Sequence, residues 1–264
     1  MAEAYFTTDD GIWFRGTGYT RGPWDVNACH AGPPTGLMVR ALEALVPDKA
    51  LVRLSVEIAR PIPMGGFRVE TEWRKEGRAA TLTTARILDD ERVYAAAQAM
   101  HLREIDLPTR TAPYDLPDFS AALPGPFPIT DTMHDEQAFP SSIEVRYDPS
   151  GSQGMGGFTV MWMRSVVPLL EGEEPSGFQR LCPLADSGNG TSYNEYLDRV
   201  LFVNPDLLLS VHRPPETEWL GAKVVSHWND NGIGMADAEL FDQKGPVGRA
   251  TQNLLLDPTP GRPD

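Results

Sequence analysis

A strongly apolar stretch lies within residues 30–46. From Leu37 onward nearly every position of this stretch is apolar, and Arg40 and Glu43 are its only charged residues. Residues 33–34 are both proline, and they stand where the first turn of a helix has no N–H partners to lose. The pattern therefore predicts a helix that is apolar on most of its circumference. Such a helix must be enclosed by other structure rather than laid on a surface.

Strand-like segments follow this predicted helix. They are separated by Pro, Gly or charged turns, and they span residues 52–59, 67–73, 80–88 and 93–102. Before the helix, residues 5–20 predict a short strand pair, or a strand and a turn. One apolar helix followed by an antiparallel meander long enough to curl around it is the outline of a hotdog fold, in the α+β class.

The composition changes between residues 107 and 140, where seven prolines interrupt any regular element. We predict a Pro-rich linker, residues 107–140, that packs along the surface. Strand patterns then resume at 142–147 and 158–164. The chain would accordingly comprise an N-terminal hotdog at residues 1–106, the linker, and a C-terminal hotdog at residues 141–264.

An internal repeat relates the two halves of the chain. Landmarks of different chemistry recur in the same order at one approximate spacing, which favours a duplication. The second half should therefore contain the same four strands and its own central helix, at residues 176–187. We expect that helix to be interrupted at Pro183 and closed by a turn at residues 188–190. The landmarks are Ala59-Arg60-Pro61 and His212-Arg213-Pro214 (offset 153), Glu72-Trp73 and His227-Trp228 (155), Gly77 and Gly232 (155), Asp89 and Asp242 (153), and Ala97-Gln98 and Thr251-Gln252 (154).

Two fused hotdog repeats make a double hotdog. Their antiparallel sheets can join edge to edge as one continuous sheet wrapped around the central helices, with both helices on the same side. Two quasi-equivalent clefts would then lie between the halves, each bordered by the N-terminus of one helix.

The charge balance bears on the partners of the chain. It has 23 basic and 37 acidic residues and a net charge of −14, which argues against nucleic acid, because phosphate contacts need clustered Lys and Arg. Any other polyanionic ligand would likewise need a local basic patch to overcome the overall field.

Other compositional features exclude several classes of site. The two cysteines do not form a Cys-x-x-Cys pair and the five histidines lack metal-ligand spacing, so we expect no metal and no cofactor. No Gly-x-Ser-x-Gly sequence occurs, which disfavours a serine hydrolase of that type. No stretch is apolar for long enough to span a membrane, and we expect a cytoplasmic protein with no membrane partner. The exposed edges of hotdog sheets favour association, so we expect a homo-oligomer.

The run of residues 21–34, the apolar helix after it and the Ala-Arg-Pro-Ile-Pro sequence at residues 59–63 resemble bacterial thioesterase-like proteins of the double-hotdog type. The second half is similar to acyl-CoA thioesterase II. The likeness covers residues 12–104 and 140–257 and leaves out the linker. It implies a hydrolase that cleaves an acyl-CoA substrate to a free acid and CoA.

The resemblance also implies catalytic positions. Those thioesterases position a water with an Asp on the second central helix, a Thr or Ser at the start of a following strand, and a Gln on the last strand. The matching residues here are Asp186, Asn204 and Gln252. Asn204 departs from the pattern, because it offers an amide in place of a hydroxyl.

Substrate-binding groups are expected at the start of the first helix. Backbone N–H groups between Ala31 and Gly36, including that of Gly32, would face the thioester oxygen, helped by the helix dipole. His30 precedes them, and we expect it to cap the turn or to pack against Trp24 rather than to act in catalysis.

Each catalytic assignment has a structural alternative. Asp186 can make an Asx turn at a helix end, and Asn204 before a proline is a common loop start. Gln98, at the position matched to Gln252 in the first half, suggests that this glutamine is structural in both halves.

Two rival functions also stay open. Asp25-Val-Asn27-Ala-Cys-His30 has the Asp-x-Asn-x-x-His spacing of R-specific enoyl-CoA hydratases, in which Asp and His act as an acid/base pair on water. Alternatively, the chain is a non-catalytic acyl-CoA binding protein, and Asn204 marks the loss of its chemistry.

Overall fold

The structure is a computed structural model that describes residues 4–110, 112–128, 137–151, 156–196 and 198–259. Its first half contains one helix and six strands, as the apolar pattern predicts. These are β1 (Phe6–Thr7), β2 (Trp13–Gly16), α1 (Gly32–Leu45), β3 (Ala50–Ile58), β4 (Phe67–Lys75), β5 (Ala80–Leu88) and β6 (Val93–Leu102), with a short 3-10 turn at Gly18–Thr20.

The second half repeats this arrangement with additional short elements. They are β7 (Leu123–Pro124), β8 (Ile143–Tyr147), β9 (Thr159–Ser165), α2 (Gly177–Asp186), α3 (Gly188–Thr191), β10 (Val200–Val203), β11 (Asp206–Val211), β12 (Leu220–Trp228), β13 (Ile233–Asp242) and β14 (Gly245–Pro258), with 3-10 turns at Phe119–Ala121 and Phe139–Ser142.

The strands form one continuous antiparallel sheet, in the order β1-β2-β4-β5-β6-β3-β11-β14-β13-β12-β9-β8-β7, with β10 paired to the end of β14. Strands β3 and β11 join the halves at the centre, where Leu208 lies opposite Ser55. Outward from this pair the order is the same on both sides. The predicted double hotdog, with its duplicated strands and continuous sheet, is confirmed.

Helix α1 is enclosed by the sheet and by α2, as its apolar pattern requires. Leu37, Met38 and Leu42 are all buried. At Gly36 a Cβ atom would lie 3.1 Å from Leu169 Cδ2, so the absent side chain lets α1 approach the segment that leads into α2. Polar contacts add to the packing, because the Glu43 carboxylate accepts hydrogen bonds from two side chains at the start of α2.

Helix α2 differs from its prediction in two respects. It is continuous through Pro183 and is not interrupted there. Proline removes one helical N–H donor, but the remaining bonds and the Ser176 cap, whose Oγ accepts from the Gln179 N–H at 3.1 Å, hold the helix. The predicted closing turn at residues 188–190 is the short helix α3, so the chain stays helical just beyond Asp186.

The register of the repeat also needs one correction. Gln98 pairs with Ser55 and Thr251 pairs with Leu208, and Ser55 and Leu208 lie opposite each other. The structural counterpart of Gln98 is therefore Thr251, at an offset of 153. The prediction that Gln98 matches Gln252 is wrong by one residue, and one residue along a strand reverses the face that a side chain occupies. Gln98 is exposed, whereas Gln252 is buried.

The described part of the segment predicted as a Pro-rich linker packs against the sheet. The Phe119 ring lies 5.3 Å from that of Trp162 and 5.2 Å from that of Trp219. The linker also contributes regular structure, because Leu123–Pro124 pairs with β8 at the edge of the sheet. Its last part, at Phe139, folds back toward α1.

A buried ion pair ties the exit of β11 to the end of β13. Arg213 Nη1 and Nη2 donate to the two carboxylate oxygens of Asp242 at 2.9 and 2.6 Å, and the backbone N–H groups of Glu216 and Lys244 donate to the same carboxylate at 2.8 Å. Burial alone would raise the pKa of Asp242, but these hydrogen bonds outweigh it and lower the pKa to about 2.

We expect Asp242→Asn to lower the free energy of unfolding by about 2 kcal/mol at neutral pH, at roughly 1.4 kcal/mol for each pKa unit. Because the folded pKa lies below the unfolded one, this stabilisation is present above about pH 4 and is lost as the pH falls toward about 2. Urea unfolding of wild type and variant across that range measures the difference. A constant difference at all pH values would contradict the assignment.

Candidate functional site

A cavity of about 660 Å³ lies between the two halves, next to the start of α1 and the end of α2. Its wall is mostly apolar and rich in aromatic rings. The aromatic lining residues are Trp24, Phe127, Phe139, Tyr193, Tyr196 and Phe202. A cavity of this character suits an apolar group held beside a few polar ones.

Asp186, the last residue of α2, places a buried carboxylate at the wall of this cavity. Its side chain is 4% exposed. Oδ1 accepts hydrogen bonds from Asn204 Nδ2 at 3.0 Å and from Gln252 Nε2 at 3.3 Å, and Oδ2 lies 3.0 Å from His30 Nδ1. The structure thus brings together the three side chains predicted as catalytic and adds a histidine from the other half.

Gln252 is held firmly on the inner face of β14. Its Nε2 also donates to the backbone carbonyl of Asp186 at 3.0 Å, and its Oε1 accepts from the Asn189 N–H at 3.2 Å. A Cβ atom at Gly188 would lie 3.1 Å from Oε1, so the glycine gives this amide room. Gln252 therefore links the end of α2 to the start of α3.

Asn204 lies in the turn between β10 and β11. Besides its bond to Asp186, its Nδ2 donates to the backbone carbonyl of Asp206 at 3.2 Å. Both amides therefore turn their NH₂ groups toward one oxygen of the Asp186 carboxylate. This arrangement orients the carboxylate so that its other oxygen, Oδ2, faces His30.

His30 does not pack against Trp24. Its ring stacks on that of Phe139, with centroids 3.9 Å apart and planes at 12°, while Trp24 contacts Phe202. The stacking fixes the plane of the imidazole and aims Nδ1 at Asp186.

The protonation of His30 follows from its surroundings. Burial lowers the pKa of His30, and the charge of Asp186 raises it by less, so the ring is neutral near pH 7. Nδ1 lies 3.0 Å from Asp186 Oδ2 and 3.2 Å from the Gly32 N–H, and it cannot both donate to the first and accept from the second. We assign the proton to Nδ1, because a buried carboxylate needs donors. Nε2 is then an acceptor with no partner among the described residues.

The start of α1 offers fewer backbone donors than expected. Ala31 lines the cavity, and its N–H has no acceptor among the described residues. Gly32 and Gly36 instead lie where α1 meets the second half, and a Cβ at Gly32 would be 2.7 Å from Pro183 Cα. The Thr35 N–H bonds to the Ala31 carbonyl. The contact between α1 and the second half thus occupies two of the positions that the sequence assigns to substrate, Gly32 and Gly36, whereas Ala31 remains at the cavity.

Asp25 does not pair with His30. Its Oδ1 accepts from the Asn27 N–H at 2.8 Å in an exposed Asx turn at the cavity rim. The partner of His30 is Asp186, from the other half of the chain. The acid/base pair that the hydratase spacing suggests is not formed.

Three further residues shape the site, and sequence reasoning missed them. Phe127 and Phe139 come from the predicted linker and line the cavity. Nothing in the composition of the linker indicates that these two rings reach the site. Cys29 also lines it, but burial raises the pKa of its thiol to about 12, so this group stays protonated and is not a nucleophile.

No group of three or more His, Cys, Asp or Glu side chains in the described ranges could hold a metal ion. Within the same ranges, each helix is too short or too polar to cross a membrane.

Family models match both halves of the chain. A family model described as the acyl-CoA thioesterase N-terminal domain matches residues 20–102, and one described as the acyl-CoA thioesterase C-terminal domain matches residues 114–256. The second match begins within the segment predicted as a linker. No curated protein sequence gives a significant match.

Solved structures with this fold include the acyl-CoA thioesterase II of Mycobacterium marinum, at 15% identity, 98% coverage of this chain and 97% of that one, and a TM-score of 0.68. A hotdog-fold protein of Alicyclobacillus acidocaldarius has 19% identity, 97% coverage of each chain and a TM-score of 0.70. The CurJ dehydratase is more distant, with 12% identity, coverage of 96% and 94%, and a TM-score of 0.52. At these identities the likeness establishes the fold alone.

We expect the pKa of His30 to lie below 6.5, because burial lowers it more than Asp186 raises it. Asp186→Asn removes only the raising contribution, so it should lower the pKa of His30 further. NMR titration of the ring protons from about pH 8 to about pH 4 covers the range of a histidine, and His30→Gln identifies the signal. A pKa of His30 that rises in Asp186→Asn would refute the pairing.

Proposed function

The chain belongs to the acyl-CoA thioesterase family and is a thioester hydrolase, and we propose that it cleaves an acyl-CoA to a free acid and CoA with a water positioned by Asp186. One observation carries this proposal. A buried carboxylate at the cavity wall receives hydrogen-bonding side chains from both halves of the chain.

Thioester hydrolysis needs a nucleophilic water, a group that accepts its proton, and donors that face the carbonyl oxygen. We assign two of these roles to Asp186, which would position the water and accept its proton. Its Oδ2 can do so because this oxygen keeps a second lone pair besides the one that faces His30. The water oxygen bonds to the thioester carbon, the C–S bond then breaks, and the departing thiolate takes the proton from Asp186.

The carbonyl oxygen becomes negative during this step. The Ala31 N–H, at the positive end of α1, is the donor that we assign to it. Asn204 and Gln252 act on the carboxylate rather than on the carbonyl, since both donate to Asp186 Oδ1 and leave Oδ2 for the water.

A second candidate reaction uses the same pair of side chains. His30 and Asp186 could act together as an acid/base pair that adds water to the double bond of an enoyl thioester. The 3.0 Å contact between a neutral imidazole and a carboxylate favours it. The two reactions have different products, because hydration leaves the thioester intact.

Asp186→Asn should lower kcat/KM for acyl-CoA hydrolysis by about 100-fold or more, the usual contribution of a positioned proton acceptor. Asn204→Ala and Gln252→Ala should each lower it by about 10-fold, as expected for one hydrogen bond to a charged group. Release of free thiol from short, medium, long and aromatic acyl-CoAs measures these effects.

The matched control is Asp230→Asn, which removes one carboxylate from the exposed turn between β12 and β13 and should not change the rate. Equal activity of wild type and Asp186→Asn would overturn the assignment. Loss of a crotonyl-CoA double bond without thiol release would favour hydration.

The role of the Asn204 amide can be tested with two replacements that are isosteric with each other. Asn204→Thr supplies a hydroxyl that can donate to Asp186. Asn204→Val supplies a side chain of the same shape as threonine but without a donor. We expect the Thr variant to keep activity within about 10-fold of wild type and the Val variant to lose more, as one hydrogen bond to a charged group requires. Equal rates for the two variants would show that donation from this position is unimportant.

A further inference from the structure

We propose that Arg60 binds a phosphate group of the substrate's carrier, whether the nucleotide phosphates of CoA or the phosphate of a phosphopantetheine arm. This inference rests on the proposed function, because it names the part of the thioester substrate that lies outside the acyl cavity.

Arg60 is the only Lys or Arg that lines the cavity within the described ranges, and it is exposed at the rim. The two acidic lining residues are Asp25 and Asp186. The chain carries a net charge of −14, so a polyanionic ligand meets an unfavourable overall field. A cation at the cavity mouth is what such a ligand needs in order to bind.

The repeat supplies an internal comparison for Arg60. Its counterpart in the second half is Arg213, and that guanidinium is fully engaged. It donates to Asp242, as described above, and to the backbone carbonyls of Gly245 and Pro246. In the second half, therefore, the same landmark has a structural role.

The first half has no equivalent ion pair among the described residues, and Asp89, the counterpart of Asp242, accepts from a different set of donors. Its Oδ1 accepts from the N–H groups of Glu91 and Arg92 at 2.8 Å, and its Oδ2 accepts from the Tyr94 hydroxyl. Arg60 is left with no side-chain partner among the described residues.

One side chain distinguishes the two halves at this point. The Ala59 N–H donates to the Tyr94 carbonyl, and the His212 N–H donates to the Val247 carbonyl. The backbones therefore match at an offset of 153, and valine takes the place of tyrosine. Valine has no hydroxyl, so Asp242 stays available to its arginine, whereas Tyr94 occupies Asp89 and keeps Arg60 available to a ligand.

A guanidinium suits phosphate, because its N–H groups can bind two phosphate oxygens at once. Arg60 follows the end of β3, where its own N–H and that of Ala59 bond to the Tyr94 carbonyl. The base of the side chain is thus fixed while its charged end is exposed at the rim. We assign Arg60 to substrate binding and not to the chemical step.

The test measures binding of free CoA, 4′-phosphopantetheine and pantetheine by calorimetry, on wild type, Arg60→Gln and Arg60→Lys. Arg60→Gln should weaken binding of CoA by about 10-fold, as loss of a charge-assisted hydrogen bond predicts, and leave pantetheine unaffected. Arg60→Lys should recover part of the loss, because it restores the charge but not the two-pronged geometry.

The matched control is Arg53→Gln, on the same strand. Arg53 is exposed and directly precedes the buried Leu54. Successive side chains of a strand point to opposite faces, so the Arg53 side chain lies on the face of the sheet that is turned away from the helices. This variant changes the net charge by the same amount and should not alter CoA binding. Equal weakening by both variants, or equal weakening for CoA and pantetheine, would overturn the proposal.

Comparison of CoA with 4′-phosphopantetheine identifies which phosphate Arg60 contacts. Weaker binding of both CoA and phosphopantetheine assigns Arg60 to the phosphate next to pantetheine. Weakening confined to CoA assigns it to the nucleotide phosphates. Either result supports phosphate recognition.

Tyr94→Phe tests the role of Tyr94 without removing its buried ring. It frees Asp89 to pair with Arg60, so CoA affinity should fall, and adding Asp89→Asn should restore it. Unchanged affinity in Tyr94→Phe would overturn the role assigned to the tyrosine.

Failure of this inference is separable from failure of the proposed reaction, because CoA binding needs no turnover. CoA binding that depends on Arg60 in a chain without hydrolysis would refute the reaction alone. Hydrolysis with unchanged CoA binding and KM in Arg60→Gln would refute the phosphate contact alone.

Discussion

Strand β3 of the first half pairs with β11 of the second at the centre of the sheet, and this antiparallel pair sets the position of everything at the site. It brings the end of α2 to the start of α1, so that Asp186 and His30 meet across the two halves. A slip of one residue would turn the buried side chains of Leu54 and Leu209 outward. The packing of the core therefore enforces the register on which the site depends.

The buried carboxylate of Asp186 illustrates how stability and chemistry are joined here. A carboxylate removed from water is costly unless donors replace its hydration. Asn204, Gln252 and His30 supply those donors, and they also fix which oxygen faces the cavity. Removing one donor should therefore affect both the fold around α2 and the chemistry, because the same contacts serve both.

The duplicated halves use equivalent positions for different purposes. The arginine after the central strand pairs with Asp242 in the second half, whereas the one in the first half lies at the cavity rim with no side-chain partner among the described residues. An amide faces the helices at Gln252, whereas the matching position in the first half is Ala99, which follows from the offset of 153. Small changes on a shared backbone thus give equivalent positions different roles.

Periodicity along the chain predicted the helices, the long strands and their duplication, because these depend on contacts between near neighbours and on spacings that recur. The resemblance identified Asp186, Asn204 and Gln252, which the fold brings within hydrogen-bonding distance. Only the tertiary structure revealed that His30 is the partner of Asp186 and that Phe139, from the Pro-rich linker, fixes its ring. These contacts join residues more than a hundred positions apart, and no local pattern records which distant side chains share a cavity.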